Sequence, residues 1–196
     1  MVSLRAVGVF CGSSSGNGDR YVRVARALGA HLAAQGITLV YGGGKVGLMG
    51  ELADACLADG GTVVGVIPRG LFRREVAHRG VSELHEVGSM HERKALMYDR
   101  SDAFLALPGG LGTLDELAEV ATWSQLGLHA KPLVLLDVDG FWTPLVALLD
   151  GMVAAGLLKE ENRALIEVCQ DVGASLDHLR AAEPAYTEKW IGPDDR

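Results

Sequence analysis

Short apolar runs alternate along this chain with longer segments whose apolar residues recur every three or four positions. Short apolar runs are typical of buried strands, and the three-to-four spacing is typical of amphipathic helices. The pattern predicts strands at 6–10, 37–41, 62–68, 84–87, 103–107 and 132–138. It predicts helices at 20–34, 48–58, 90–101, 114–128, 141–156 and 175–181, and a loop with at most one helical turn at 69–83.

Most of the predicted strands are apolar on both faces, which indicates a parallel sheet covered by helices on both sides. We therefore predict an α/β fold, a Rossmann-like doubly wound parallel sheet, in a single domain over residues 1–182. Residues 183–196 are polar and predict a loose C-terminal tail. Ligands of such sheets bind beyond the carboxyl ends of the strands. The glycine-rich turns of this chain fall at those ends.

Composition narrows the classes of function. The chain of 196 residues is 48% hydrophobic and carries a formal net charge of −7, which suits a globular protein and argues against a nucleic-acid partner. Cys11, Cys56 and Cys169 have neither paired spacing nor a neighbouring histidine pattern, so reduced thiols are expected rather than disulfides or a metal site. No signal peptide or membrane-spanning segment is predicted, and a cytoplasmic location is expected.

The turn after the second strand, "GGGKVG", places Gly42, Gly44 and Gly47 at the spacing of dinucleotide-binding loops. A dinucleotide site also needs an acidic residue about 20 positions later. The sequence there, "TVVGVIPRG", has none, and no G-K-[ST] motif of a Walker loop occurs. The turn therefore favours contact with a phosphate or nucleotide, through Gly43 and Gly44, over binding of NAD or ATP.

A second glycine turn, in "ALPGGLGTLDELAEV", joins an apolar strand to a helix. Its glycines leave backbone N–H groups bare at a helix start, where unpaired donors and the helix dipole favour an anion such as phosphate. Thr113 and Glu116 also have the spacing of a capping box, in which the threonine caps the helix and the glutamate reaches back to the cap. The spacing alone leaves both roles of Glu116 open.

The segment "MHERKALM" places Arg93 and Lys94 side by side on a predicted helix. A charged pair on a helix usually belongs to a solvated surface, and the same ordinary explanation applies to His91 and to Glu75. Their nomination as functional residues depends on a wider comparison.

Several of these stretches together resemble one family. "PGGLGTLDE" is similar to the P-G-G-x-G-T-x-x-E signature of the LONELY GUY family of cytokinin-activating phosphoribohydrolases. "MHERK" resembles the arginine-lysine helix of that family, at the family's distance from the signature. "CGSSSG", "YGGGKVGLMG", "DAFLALPGG" and "TWSQLGLHAKP" extend the resemblance over about residues 6–150.

The resemblance implies a homodimer that cleaves the N-glycosidic bond of an adenosine 5′-monophosphate derivative, releasing an N6-substituted adenine and ribose 5-phosphate. It places the catalytic pair on Arg93 and Glu116. The expected substrate and phosphate contacts are Glu75, Arg93, Lys94, Gly109, Gly110, Leu111, Gly112, Thr113, Leu114, Asp115, Glu116 and Thr122, together with Gly43, Gly44 and Ser14 of the other turns.

In this chemistry positive charge develops on the ribose as the base departs. A carboxylate such as Glu116 can stabilise that charge or deprotonate the attacking water, and Arg93 can offset the charges of phosphate and carboxylate. No metal or redox cofactor is expected, because this chemistry requires none and no metal-ligand cluster is visible in the sequence. Pyridoxal phosphate chemistry is not expected, because no lysine with the required partners is nominated. The alternatives are a non-catalytic nucleotide-binding module and a carrier or processing enzyme for another phosphorylated ligand.

Four large apolar residues could belong either to a dimer interface or to the core. They are Trp123, Leu126, Phe141 and Trp142.

Overall fold

Seven parallel strands form one sheet in the computed structural model, which describes residues 4–72 and 76–182. The strands are β1 (Ala6–Phe10), β2 (Thr38–Tyr41), β3 (Val63–Pro68), β4 (Glu83–Val87), β5 (Ala103–Ala106), β6 (Leu133–Leu136) and β7 (Ile166–Cys169). The helices of the described residues are α1 (Arg20–Ala34), α2 (Gly47–Ala58), α3 (Arg69–Phe72), α4 (Met90–Asp99), α5 (Leu111–Gln125), α6 (Thr143–Ala154), α7 (Glu160–Arg163) and α8 (Val172–Ala181).

The strand order is β4-β3-β2-β1-β5-β6-β7, so the chain runs outward from β1 in both directions. The order reverses between β1 and β5, which pair in parallel with Val9 opposite Leu105. In open α/β sheets the crevice at such a reversal is where ligands bind, because the loops after the two strands diverge there. This places the turns after β1 and β5 on either side of the expected site.

Two cores cover the two faces of the sheet. On one face α1, α2 and α8 bury residues such as Leu28, Leu52 and Leu176 against the strands. On the other face α4, α5 and α6 pack around an aromatic group that includes Phe104 and Trp142. Strands buried from both sides explain the near-continuous apolar runs in the sequence.

The predicted fold class is confirmed, and β1 and α1 have the predicted bounds. The predictions missed α7 and β7. Helix α7 is only four residues long, and β7 is a short, partly exposed edge strand, so neither shows a clear periodicity. The predicted tail at 183–196 lies outside the described residues, and one domain over 1–182 stays a prediction.

None of the helices in the described ranges combines the length and the apolar character needed to cross a bilayer.

Candidate active site

Three glycine-rich turns meet through backbone contacts at the carboxyl edge of the sheet. Gly12 N–H, after β1, donates to the Pro108 carbonyl after β5 at 3.2 Å, and Leu48 N–H at the start of α2 donates to the Gly12 carbonyl at 3.1 Å. A Cβ at Gly47 would overlap the backbone of Ser13, and Gly47 has a φ of +59°. Only glycine both lacks a Cβ and adopts this positive φ without strain, so position 47 needs glycine because the two turns approach each other closely there.

Helix α5 begins at Leu111, with Gly110 as its N-cap, so of the two roles that spacing left open for Glu116 the capping-box role is excluded. Thr113 lies inside the first turn, is 3% exposed, and packs its side chain against Gly109. Because a glycine cap has no side chain, none reaches back to the first amides of α5. The first residues of α5 line a cleft, and the Glu116 side chain does not cap the helix.

Helix α4 has a side-chain cap instead. Ser89 Oγ accepts a hydrogen bond from the Glu92 N–H at 3.1 Å, and a carboxylate oxygen of Glu92 accepts one from the Gly88 N–H at 2.7 Å. This cap starts α4 at Met90 and therefore places Arg93 in its first turn, near the carboxyl end of β3. Arg93 Nε donates to the Val66 carbonyl at 3.2 Å.

Arg93 and Glu116 form an ion pair in which a guanidinium nitrogen lies 3.2 Å from a carboxylate oxygen. Their side chains are 11% and 9% exposed, so the pair is largely removed from water. Burial raises the pKa of the Glu116 carboxyl, and the positive charge of Arg93 lowers it only in part. A carboxyl with a raised pKa is suited to exchanging protons near neutral pH.

The position of Arg93 depends on Gly42, the first residue after β2. A Cβ added at Gly42 would overlap the Arg93 guanidinium, so any side chain there would push it away from Glu116. The first glycine of "GGGKVG" is therefore explained by a neighbouring arginine and not by a dinucleotide.

The pair lies in a cleft of about 480 Å³. Part of its lining is backbone and small side chains, from the turn after β1 and from the start of α5. Another part, the apolar wall, consists of Val46, Met49, Ile67 and Val76. The described lining residues are Cys11, Gly12, Ser13, Gly42, Gly44, Val46, Met49, Ile67, Val76, Arg93, Gly110, Leu111, Gly112, Thr113 and Glu116. The backbone part suits a phosphate and the apolar wall suits an apolar group, and Arg93 and Glu116 line the same cleft.

The structure brings about half of the expected contacts together in this cleft. Those that line it are Gly44, Arg93, Gly110, Leu111, Gly112, Thr113 and Glu116. Gly43 and Gly109 do not line the cleft but contact the loops that form it. The Gly43 carbonyl accepts a hydrogen bond from the His78 N–H, and Gly109 packs against the Thr113 side chain. Glu75 lies outside the described residues, although the next residue, Val76, is part of the lining.

Five other expected contacts neither line the cleft nor support its loops. Ser14 and Leu114 are exposed, and Thr122 is exposed on a different side of α5 from Glu116. Lys94 and Asp115 pair with each other at 3.3 Å, outside the cleft lining.

Several lining residues were not predicted, among them Cys11, Ser13, Met49 and Ile67. Cys11 and Ser13 directly follow β1, so strand-end position was the signal that could have identified them. Burial raises the pKa of the Cys11 thiol well above its ordinary value, and the nearby Glu116 carboxylate adds to this effect. The thiol is therefore neutral and weakly reactive. Met49 and Ile67 looked like core residues, and only the folded chain places them on a cleft wall.

No three histidine, cysteine, aspartate or glutamate side chains gather as a metal-binding group in the part of the chain that the structure describes.

Most of the four large apolar residues that could belong to a dimer interface or to the core are part of the core or pack against it. Trp142 is 2% exposed and lies within it. Trp123 and Phe141 are partly buried and pack against that core.

Fold and site together define a doubly wound α/β protein with a buried ion pair in a cleft at the carboxyl edge of its sheet. Comparison with known proteins gives the family. Residues 49–179 match the family model described as "Possible lysine decarboxylase". A probable cytokinin riboside 5′-monophosphate phosphoribohydrolase of Oryza sativa subsp. japonica is 51% identical over 92% of this chain and 79% of its own. A cytokinin riboside 5′-monophosphate phosphoribohydrolase of Rhodococcoides fascians is 46% identical over 90% of both chains.

The chain therefore belongs to the LONELY GUY family of phosphoribohydrolases. Among solved structures, the molybdenum cofactor carrier protein of Chlamydomonas reinhardtii matches with a TM-score of 0.70 and 23% identity, covering 91% of this chain and 99% of that chain. At this identity the similarity establishes the fold alone.

Proposed function

We propose that this protein hydrolyses the N-glycosidic bond of N6-substituted adenosine 5′-monophosphates, giving the free adenine-type base and ribose 5-phosphate. The activity in the names of the two relatives supports the proposal at 51% and 46% identity. The structural observation that carries it is the buried Arg93–Glu116 pair, which lies in a cleft that is also lined by the start of α5, where no side chain caps the helix.

In the proposed reaction the 5′-phosphate binds the free amides of Gly110 to Thr113, where the helix dipole and unpaired N–H groups favour an anion. Fixing the phosphate fixes the sugar, and this brings its anomeric carbon toward Glu116. The apolar wall, which includes Met49 and Ile67, is the surface that suits a base with an apolar N6 substituent.

The chemistry then follows from the pair. The C1′–N bond breaks with its electrons passing to the base, and water attacks C1′. The Glu116 carboxylate stabilises the positive charge on the ribose and accepts the proton that the water loses. The departing base takes up one proton from solvent, and Glu116 returns its proton to solvent, which restores the carboxylate. Arg93 keeps the acid oriented and offsets the repulsion between carboxylate and phosphate.

The experiment is a product analysis of the purified protein with AMP and isopentenyladenosine monophosphate side by side. We expect equal amounts of free base and ribose 5-phosphate by chromatography. Nucleotides that raise the melting temperature without releasing base on long incubation would favour a non-catalytic binding module. Nucleotides that change neither would indicate another phosphorylated ligand.

We also propose that the protein is a homodimer. Thr122 is an expected substrate contact, yet it is exposed on α5 and does not line the cleft of its own chain. In a dimer Thr122 of one copy could contact the substrate in the cleft of the other copy, which would explain both its expected role and its exposed position. The neighbouring groove of about 490 Å³ between α4 and α5 is the surface we propose for it. The groove is lined by His91, Ala95, Tyr98, Asp99, Glu119, Trp123 and Leu128.

The dimer is tested by placing a charge in this groove. We expect the parent to have the mass of a dimer by light scattering at micromolar concentration, and Ala95→Glu to shift it toward monomer with lower activity. Ala58→Glu, exposed near the end of α2 on the opposite face, is the matched control and should leave the mass unchanged. A monomeric parent, or an Ala95→Glu protein that remains a dimer, would contradict this surface.

A cytoplasmic location is part of the same proposal. Cys11, Cys56 and Cys169 are free, and the first two are buried. Thiols kept unpaired are typical of a reducing compartment. Fractionation of the source cells checks this.

A further inference from the structure

The apolar wall of the cleft combines residues of regular elements with residues of loops. Met49 lies on α2 and Ile67 on β3, so hydrogen-bonded elements fix both of them. Val46 belongs to the turn between β2 and α2, and Val76 to the segment that leads into β4. Loops are more mobile than the elements they connect, so the two valines depend on further contacts for their positions.

The two loops contact each other through a short antiparallel ladder. The Lys45 N–H donates to the Val76 carbonyl at 2.8 Å, and the His78 N–H donates to the Gly43 carbonyl at 2.8 Å. The residues between these bonds pair as an antiparallel bridge. The ladder sets the position of Val76 relative to the glycine turn, but a ladder of two bonds between loops opens readily unless it is attached elsewhere.

A side-chain contact attaches this ladder to α2. His78 Nε2 lies 2.8 Å from a carboxylate oxygen of Asp54, which is on α2. A carboxylate only accepts hydrogen bonds, so the imidazole donates through its Nε2–H. The His78 side chain is 12% exposed and Asp54 is 69% exposed. The bond therefore joins a buried ring of the segment to the surface of the helix.

The other ring nitrogen of His78 makes burial of this side chain costly. Nδ1 is buried and has no hydrogen-bond partner in the part of the chain that the structure describes. A buried polar atom without a partner costs free energy that an apolar side chain would avoid. What an imidazole provides at position 78 is the bond from Nε2 to Asp54.

We propose that His78 and Asp54 are positioning residues: their hydrogen bond attaches the ladder to α2 and thereby holds Val76 in the apolar wall, the surface assigned to the base of the nucleotide. The inference rests on the proposed function for its effect on substrate binding. Its structural part, the attachment of the segment 76–78 to α2, is measurable without any substrate.

The test removes the carboxylate with Asp54→Ala. Asp54 is exposed on a helix and alanine is the strongest helix former, so this variant should fold. We expect KM for isopentenyladenosine monophosphate to rise about fivefold and kcat to change less than about twofold, because the wall contributes binding and the Arg93–Glu116 pair stays in place. Asp54→Asn retains an acceptor oxygen and should stay within about twofold of the parent KM.

Further variants separate this hydrogen bond from a general loss of structure. Glu51→Ala removes another carboxylate of α2, which pairs with Arg26, and should leave KM and kcat unchanged. His78→Leu should raise KM as much as Asp54→Ala does, and the double variant should be no worse than either, because all three lack the same bond. An additive loss in the double variant, or a parental KM in Asp54→Ala, would overturn the proposal.

A comparison of AMP with ribose 5-phosphate tests which part of the ligand is affected, since the two differ by the adenine base. Binding is measured by calorimetry in a Glu116→Gln background, where base release is blocked. Adding Asp54→Ala should weaken AMP binding about fivefold and leave ribose 5-phosphate binding unchanged. Equal weakening of both ligands would place the effect at the phosphate site and contradict the assignment to the apolar wall.

Amide hydrogen exchange tests the attachment itself. The Lys45 and His78 amides form the ladder, and NMR should show both exchanging about tenfold faster in Asp54→Ala than in the parent or in Glu51→Ala. Exchange at the parental rate would contradict the structural part of the inference. Faster exchange in a protein that releases no base from either nucleotide would support the attachment by His78 and refute the proposed hydrolysis.

Discussion

Glu116→Gln is expected to lower kcat by about a thousandfold while the protein stays folded and still binds nucleotide. General acid–base groups contribute about 10²–10⁴-fold to rate, and here the same carboxylate also stabilises charge on the ribose. Glutamine has nearly the same shape but can neither accept the water's proton nor carry the negative charge. The phosphate site at the start of α5 does not include this side chain's charge, so nucleotide affinity should change much less than kcat.

Base release by chromatography and nucleotide affinity by calorimetry measure these two effects. Glu161→Gln, an exposed glutamate far from the cleft, is the matched control and should keep parental activity. A Glu116→Gln protein that releases base within tenfold of the parent rate would remove Glu116 from the mechanism.

The same variant has a predictable effect on stability. The pKa of Glu116 is raised in the folded protein above the ordinary carboxyl value of 4.5, so the folded state holds this proton more tightly than the unfolded state. The wild-type free energy of unfolding therefore falls as pH rises from that value through the raised pKa. Glutamine does not titrate, so the variant lacks this decrease, and the difference in stability between variant and parent should shift in favour of the variant as pH rises through this window, as measured by denaturation at a series of pH values.

Arg93→Met is expected to lower both activity and stability. Removing one partner of a buried ion pair leaves the other charge uncompensated, and such changes cost about 3–5 kcal/mol. Because Glu116 borders a cleft that admits water, we expect about 3 kcal/mol at neutral pH, the lower end of that range. The lost stability should return on acidification, since protonation of Glu116 removes the unpaired charge and its pKa is higher still without Arg93.

Arg26→Met is the control for stability, because Arg26 pairs with Glu51 at 2.6 Å but is 61% exposed. Exposed pairs contribute about 0–1 kcal/mol, so the Arg26→Met change should be small and insensitive to acid. An equal loss of stability in both variants would mean that the Arg93–Glu116 pair is no more buried in effect than a surface pair.

A companion variant separates the charge of Arg93 from its position. Gly42→Ala keeps the arginine but displaces its guanidinium, because a methyl group at residue 42 would overlap it. We expect most of the activity to be lost with a smaller loss of stability than in Arg93→Met, since the long side chain can move. Gly151→Ala is the control, as a Cβ there meets nothing within 4 Å and residue 151 lies in exposed helix. Parental activity in Gly42→Ala would show that the position of the guanidinium does not matter.

The sequence by itself determined the fold class and the loops that carry the site. Apolar runs such as 103–107 read as buried strands because both faces of a parallel sheet are covered, and that physical requirement is written locally in the residues. Glycines after β2 and β5 indicated turns at the carboxyl edge, because the conformational freedom of glycine is also a local property of the sequence. Helix α5 begins at Leu111 and not at the predicted residue 114, and with Gly110 as the cap the capping role that spacing left open for Glu116 is excluded.

Only the tertiary structure decided which charges meet. Arg93 and Lys94 are neighbours on one helix and were both expected to contact the substrate, yet in the folded chain Arg93 pairs with Glu116 and Lys94 pairs with Glu119. Spacing along a chain cannot show this, because the choice depends on how α4 lies against α5 and on a glycine at position 42 that makes room for a guanidinium. The raised pKa of Glu116 has the same origin: burial and the balance of surrounding charge exist only once distant segments are brought together.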